Sequence, residues 1–191
     1  MKTIKLLATA IVVTLGIGTA KAQSTSPDVE FGIKAGINFS TLKTGLNAVS
    51  DKSGKIGFNA GIFARTGSTL FFQPELNYVT FSDKYRFNSG AYEAKFRQIN
   101  LPLMVGYKVL NTADFNVRIA AGPDLSYNLK KPIAPGGFKY QDFTAGGLVD
   151  AGVDIGNLTF DARYSLGLSK FNKQLGQKAN IFSLGVGFKF Q

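Results

Sequence analysis

The residues best placed to do chemistry are charged residues at the polar positions of segments in which apolar and polar residues alternate. The set comprises Lys34, Arg65, Glu75, Arg118, Asp124, Asp150, Asp154, Asp161, Arg163 and Lys189. Asp150 and Asp154 share a face and could form a carboxylate pair or a calcium site. Four residues along a strand span about 13 Å, which is too far for either role. We therefore interpret both as structural partners of the arginines.

A nucleophilic enzyme finds little support in the composition. The chain contains 0 His and 0 Cys, so it lacks a histidine base, a cysteine nucleophile, disulfides and thiolate metal sites. Ser165 stands close to Asp161 and Arg163, but nothing in the sequence activates it, and no Ser-Lys arrangement is marked. No phosphate-binding glycine loop precedes a helix. The sequence predicts a protein that is not an enzyme and has no cofactor.

These charges lie on segments that alternate with a period of two over about ten residues, as the strands of a membrane β-barrel do. The last quarter shows the pattern most clearly, since Leu158, Phe160, Ala162 and Tyr164 alternate with polar residues. The same pattern predicts eight strands, at residues 30–40, 55–65, 70–79, 98–108, 115–129, 143–155, 158–168 and 180–190.

The connections between these strands alternate between long and short. An up-and-down barrel with both termini on one side gathers its long connections at the other end, as outer-membrane barrels do. Soluble up-and-down barrels can share this asymmetry, so the lengths of the connections support a membrane barrel but do not exclude a soluble one. The sequence predicts an all-β, eight-stranded antiparallel up-and-down transmembrane barrel, with girdle aromatics at Phe39, Phe58, Tyr78, Tyr127 and Tyr164.

The position of glycine indicates which face of each strand points inward. Glycine weakens a strand unless something approaches it closely, and the interior of an eight-stranded barrel is narrow. The apolar face carries Gly147, whereas the polar face carries Gly32, Gly36, Gly57, Gly61, Gly106, Gly122, Gly146, Gly152, Gly167, Gly185 and Gly187. We therefore predict a polar interior; the alternative is a soluble, lipocalin-like barrel with its apolar face inside.

Residues 1–22 read as a cleaved secretory signal peptide. Lys2 and Lys5 precede an apolar core at residues 6–17, and residues 20–22 form an A-x-A cleavage site. The core is shorter than the roughly 20 residues of a membrane-spanning helix, which disfavours an anchor. Residues 23–191 then form one barrel domain.

Several residues fit the barrel pattern poorly. Phe63, Phe71 and Met104 fall on the polar face. Prolines interrupt three strands of a barrel that has no edge, and proline cannot donate to the strand ladder. We therefore expect bulges, or earlier strand ends, near Pro74, Pro102 and Pro123.

Basic residues gather in the long connections and the strand ends beside them, counted together at residues 40–55, 80–97, 130–142 and 169–180. They include Lys43, Lys52, Lys84, Arg86, Lys95, Arg97, Lys130, Lys131, Lys139, Lys170, Lys173 and Lys178. Such extracellular loops would suit outer-membrane lipid, lipopolysaccharide phosphates or an acidic partner, or would simply be solvated. Nucleic acid is not expected, since this surface would face the cell exterior.

The strand sequences FGIKAGINFS, FQPELNYV, INLPLMVGYK, ARYSLGL and SLGVGFKF resemble a known family along the whole mature chain. It is the small outer-membrane β-barrel family common in Bacteroidetes, labelled porin-family or PorT-like. The resemblance implies location in the outer membrane of a Gram-negative cell and insertion by the barrel-assembly machinery. The insertion signal would be the terminal aromatics Phe188 and Phe190, although Gln191 follows where the family ends on Phe.

These observations predict a monomeric, non-enzymatic barrel with a polar, largely closed lumen, acting as a structural or surface-interaction protein. The lumen charges would then be a plug that holds the barrel together, since open channels belong to barrels of roughly sixteen strands. Two alternatives remain. One is a narrow passive pore for small solutes, and the other is an accessory barrel of a protein-secretion or envelope-assembly system.

Overall fold

The computed structural model describes residues 29–43, 52–87, 90–130, 141–169 and 178–190. Eight strands account for nearly all of them: β1 Val29–Lys43, β2 Lys52–Thr66, β3 Leu70–Phe87, β4 Gly90–Asn111, β5 Phe115–Lys130, β6 Phe143–Ile155, β7 Leu158–Gly167 and β8 Lys178–Phe190. In these ranges there is no helix with the length and apolar character needed to cross a membrane. The predicted signal peptide lies outside the described residues.

The strands form a closed antiparallel barrel in which each pairs with the next and β8 returns to β1. The closing register runs from Phe31 opposite Phe190 to Lys43 opposite Lys178. Two hairpin turns contain a glycine with positive φ, Gly67 at 107° and Gly156 at 55°. Other residues adopt this backbone region at a cost, so glycine stands where the tight turns need it. The predicted eight-stranded up-and-down barrel is confirmed.

The polar face of the strands points into the barrel, as the glycine pattern predicts. Lumen-facing Asn38 is 1% exposed, whereas outward Phe58 is 65% exposed. The soluble alternative with an apolar interior is therefore wrong. A Cβ built on Gly147, the glycine assigned to the outer face, would lie 4.0 Å from its nearest neighbour, the Gly122 carbonyl oxygen, so that glycine faces open space.

At the end of the barrel opposite the tight turns, the strands are longer than the alternation predicts. The predicted loop at residues 80–97 is wrong, because β3 continues to Phe87 and β4 begins at Gly90. Beyond an apolar band both faces of a strand can meet water, and alternation then disappears. Several basic residues predicted on loops consequently lie on strands: Lys43, Lys52, Lys84, Arg86, Lys95, Arg97, Lys130 and Lys178. Lys131, Lys139, Lys170 and Lys173 lie outside the described residues.

The predicted bulges at the prolines are also wrong. Strand pairing skips residues beside Pro74 and Pro102, but the register is the same on both sides of each gap. Pro123 lies opposite Gly147 in a continuous β5–β6 register. A proline removes one N–H donor, which interrupts a ladder without requiring an extra residue. The register shifts lie elsewhere, between Lys55 and Asn59, Arg97 and Gln98, and Lys108 and Leu110.

The large apolar residues on the polar face are inside the barrel, where strict alternation puts them. Phe63, Phe71 and Met104 are all buried. A Cβ on Gly32 would collide with the Phe63 ring, and one on Gly106 with the Phe71 ring. Glycine on a neighbouring strand therefore makes the space that each ring fills.

Candidate functional site

Arg118, on β5, lies at the centre of a lumen charge cluster near the tight turns. Its guanidinium donates to Asp150 at 3.1 Å, to Asp154 at 3.2 Å and to the Thr159 hydroxyl at 2.6 Å, and it also pairs with Asp161. These partners stand on β6 and β7, whose inward positions alternate with residues that face lipid. Arg118 therefore binds both Asp150 and Asp154, which agrees with the interpretation of these carboxylates as structural partners of the arginines.

Arg65, on β2, approaches Asp154 from the opposite wall. It donates to Asp154 and to the Gln73 side chain at 2.6 Å each. Its guanidinium carbon lies 5.6 Å from the centre of the Phe63 ring and 5.3 Å from that of Phe71. Two aromatic faces at this distance stabilise a desolvated cation. The Arg65 Nη2 atom has no hydrogen-bond partner in the described part of the chain.

Arg163, on β7, occupies the next level of the lumen. It forms a two-pronged pair with Glu75, at 2.8 and 2.9 Å, and donates to Asp150 at 2.9 Å. Lys34 also reaches the Glu75 carboxylate at 2.8 Å and lies 3.3 Å from Asp161. The fork of an arginine matches a carboxylate in this way, and such paired contacts are among the stronger hydrogen bonds.

Glu30 belongs to this network although the sequence analysis did not single it out. It pairs with Arg65 and with Lys189, each at 3.3 Å. Lys189 is also 3.8 Å from Asp154. Glu30 stands on the polar face at the start of β1, so its position in the alternation was the available signal.

Among the described residues, the ion pairs form one connected network with as many carboxylates as cations. Its members are Glu30, Lys34, Arg65, Glu75, Arg118, Asp150, Asp154, Asp161, Arg163 and Lys189. Desolvating an ion costs several kcal/mol, and breaking a buried pair costs about 3–5 kcal/mol. Each charge is therefore held by its partners, which suits a structural plug.

Asp124 does not join the network, contrary to the sequence interpretation that grouped it with the other lumen charges. It accepts a hydrogen bond from Asn100, and no cation pairs with it in the ranges that the structure describes. It lines a lumen cavity with about 50 Å³ of free space. Amides and hydroxyls line the cavity together with Val79, Ile181 and Gly185, and Lys34, Asp161 and Arg163 lie at its network end.

Nucleophilic catalysis and metal binding find no support among the lumen side chains that the structure describes. Ser165 lines the cavity, but the chain has no histidine to activate it. Among the described residues there is no group of three acidic side chains that could hold a metal ion. What the lumen can do is stabilise the barrel and bind polar molecules through hydrogen bonds.

Basic residues occupy neighbouring strands at the end away from the tight turns. Lys178 lies opposite Lys43 across the β8–β1 closure, and Arg97 lies opposite Lys130. The Arg97 side chain is exposed on the outer wall. Like charges directly opposite each other destabilise a sheet unless solvent or an anion compensates them.

The aromatic residues that the sequence analysis selected for the barrel exterior face outward. Phe39, Phe58, Tyr78 and Tyr164 are exposed, while Tyr127 is half-buried. At the other end of the closing strand, Phe188 and Phe190 are exposed, and their ring centres lie 5.6 Å apart in an edge-to-face arrangement. Both rings are therefore accessible from outside the barrel.

A closed eight-stranded barrel with an apolar outer wall and a charge-filled lumen defines the class of small outer-membrane barrels. The family model for the outer membrane protein beta-barrel domain matches residues 21–173. The chain belongs to this family, and its location is the outer membrane. No curated protein sequence matches the chain.

Solved structures with the same fold come from several bacteria. The outer membrane protein OprG from Pseudomonas aeruginosa has a TM-score of 0.57 at 12% identity, covering 86% of this chain and 97% of its own. Neisserial surface protein A has a TM-score of 0.54 at 18% identity, covering 84% and 97%. Yersinia pestis Ail, the attachment invasion locus protein, crystallised with the heparin analogue sucrose octasulfate, has a TM-score of 0.51 at 15% identity, covering 85% and 99%. At these identities the likeness shows the fold alone.

Proposed function

We propose that this protein is a monomeric, non-enzymatic surface-interaction barrel whose basic end binds the phosphates of outer-leaflet lipopolysaccharide. The observation that carries the proposal is the register of its basic residues. Lys43 opposite Lys178 and Arg97 opposite Lys130 put like charges on adjacent strands. A phosphate shared between such neighbours relieves their repulsion.

The location of these residues favours a lipid over a soluble partner. Arg97 is exposed on the outer wall, opposite Thr80 and beyond Tyr78, a candidate girdle residue. Basic residues near a membrane surface attract anionic headgroups by about 1 kcal/mol each. The proposed ligand is therefore the phosphate layer that surrounds this end of the barrel.

The test compares diphosphoryl lipid A with its dephosphorylated form, measured by native mass spectrometry of the protein in maltoside micelles. We expect diphosphoryl lipid A to bind more tightly, and the double variant Arg97→Gln, Lys178→Gln to bind it roughly tenfold more weakly or worse. The matched control, Arg97→Lys with Lys178→Arg, retains both charges and should retain affinity. Equal binding of the two lipids, or an unaffected glutamine variant, would overturn the proposal.

The lumen cavity favours the second candidate function, a narrow passive pore. The network under the cavity argues against it, because Glu75, Asp154, Arg65 and Arg118 are each at most 2% exposed and each forms ion pairs within the lumen. In a planar bilayer we expect the refolded protein to be silent. Reproducible conductance steps that change in an Arg163 variant would favour the pore.

A further inference from the structure

Asp124 is a lumen carboxylate without a counter-charge. Every other lumen carboxylate described above has at least one cation within 3.3 Å. Asp124 instead accepts one hydrogen bond from the Asn100 amide, and in the described part of the chain it has no ion pair. It is also only half-buried, so its carboxylate remains accessible from the cavity it lines.

The rest of the cavity wall is rich in hydrogen-bonding groups and neutral around this carboxylate. Asn38, Asn59, Asn77, Gln98 and Asn100 contribute amides, while Ser126, Ser165 and Ser183 contribute hydroxyls. The cations at the network end, Lys34 and Arg163, are already paired with Glu75, Asp150 and Asp161. The cavity therefore carries the uncompensated negative charge of Asp124.

We infer that this cavity binds a small solute carrying a primary ammonium group, with Asp124 as its counter-charge. An ammonium group has three N–H donors. One of them pairs with the Asp124 carboxylate, and the serine hydroxyl and amide oxygens of the wall accept the others. The remainder of the solute, where it bears a hydroxyl group, replaces water against the amides.

The size of the cavity limits the ligand. A space of about 50 Å³ holds roughly three to five water molecules at about 10–15 Å³ each. A ligand of about that many heavy atoms fits, which makes ethanolamine a suitable probe. An anion is disfavoured because both neighbouring cations are occupied, and a divalent metal is disfavoured because a lone carboxylate supplies too few charged ligands.

Two isosteric solutes separate the role of charge from that of shape. Ethanolamine and ethylene glycol differ only in an ammonium group that replaces a hydroxyl. Each is titrated into the full refolded protein in maltoside micelles, which contain no amine, and side-chain amide shifts are followed by NMR. We expect saturable shifts with ethanolamine and at least tenfold weaker binding of ethylene glycol, as for the loss of one charge-assisted hydrogen bond.

Variants of Asp124 complete the test. Asp124→Asn keeps the shape and the bond to Asn100 but should weaken ethanolamine binding at least tenfold, whereas Asp124→Glu should retain it. Both variants are checked for folding by their heat-dependent electrophoretic shift. Equal affinity for the two solutes, undiminished ethanolamine binding in folded Asp124→Asn, or no saturable shift with either solute would each overturn the inference. Lipid A binding should be unaffected, since Asp124 lies inside the barrel.

Discussion

Replacing Arg163 by leucine should destabilise the barrel by removing a buried cation from its charge network. The guanidinium makes three hydrogen bonds to carboxylates, two with Glu75 and one with Asp150. Breaking a buried ion pair costs about 3–5 kcal/mol. Glu75 keeps Lys34 at 2.8 Å and Asp150 keeps Arg118 at 3.1 Å. We therefore expect a loss of about 3 kcal/mol, at the lower end of the range.

The measurement is urea unfolding of the protein in lipid vesicles. With a dependence of about 2 kcal/mol per molar urea, this loss lowers the midpoint by about 1.5 M. Arg97→Leu is the matched control, since it makes the same chemical change at an exposed position and should shift stability by no more than about 0.5 kcal/mol. An Arg163→Leu midpoint equal to that of the wild type, or to that of Arg97→Leu, would refute the reasoning.

Two further predictions concern residues of the barrel wall. Gly152→Ala should destabilise by about 1–3 kcal/mol through overpacking, because its methyl group would collide with the Arg118 guanidinium. Gly147→Ala, whose methyl group meets open space, should leave the free energy of unfolding unchanged in the same assay. Equal destabilisation by the two substitutions would show that packing against Arg118 is not the cause. Phe190→Ala should lower the fraction inserted in cells while leaving refolding in vitro unchanged. Loss of both insertion in cells and refolding in vitro would instead show that Phe190 stabilises the folded barrel.

Alternation predicted the central part of every strand because one face meets lipid and the other a polar lumen. Lys34, Glu75 and Arg163 could therefore be assigned to the interior from their positions alone. The far ends of β3 and β4 could not be found in this way, since their faces differ less in environment. Glycine position was the more informative signal, because it reports close approach, and the contact of Gly152 with Arg118 shows why.

The sequence alone did not predict which lumen charges pair with each other. A strand pattern gives the face of a residue but not its height, and height depends on the register between strands. Asp124 shares a face with Arg118 on β5, yet it lies beyond the network, beside Asn100. Glu30 was missed although it is the first residue of the first predicted strand, because alternation is weakest at the end of a segment. The prediction of bulges at the prolines was wrong for another reason. A proline removes one N–H donor from the strand ladder, and this loss does not require a change of register.

The network joins parts of the chain that are far apart in sequence. Arg163 and Glu75 are separated by 88 residues, Arg65 and Asp154 by 89, and Lys189 and Glu30 by 159. The last of these pairs forms only when β8 reaches β1. An incomplete sheet would therefore present unpaired charges to a nascent lumen, whereas the finished barrel neutralises them together. Such long-range contacts slow folding. They also make closure of the barrel cooperative, because an intermediate with only some of its strands paired leaves these charges without partners.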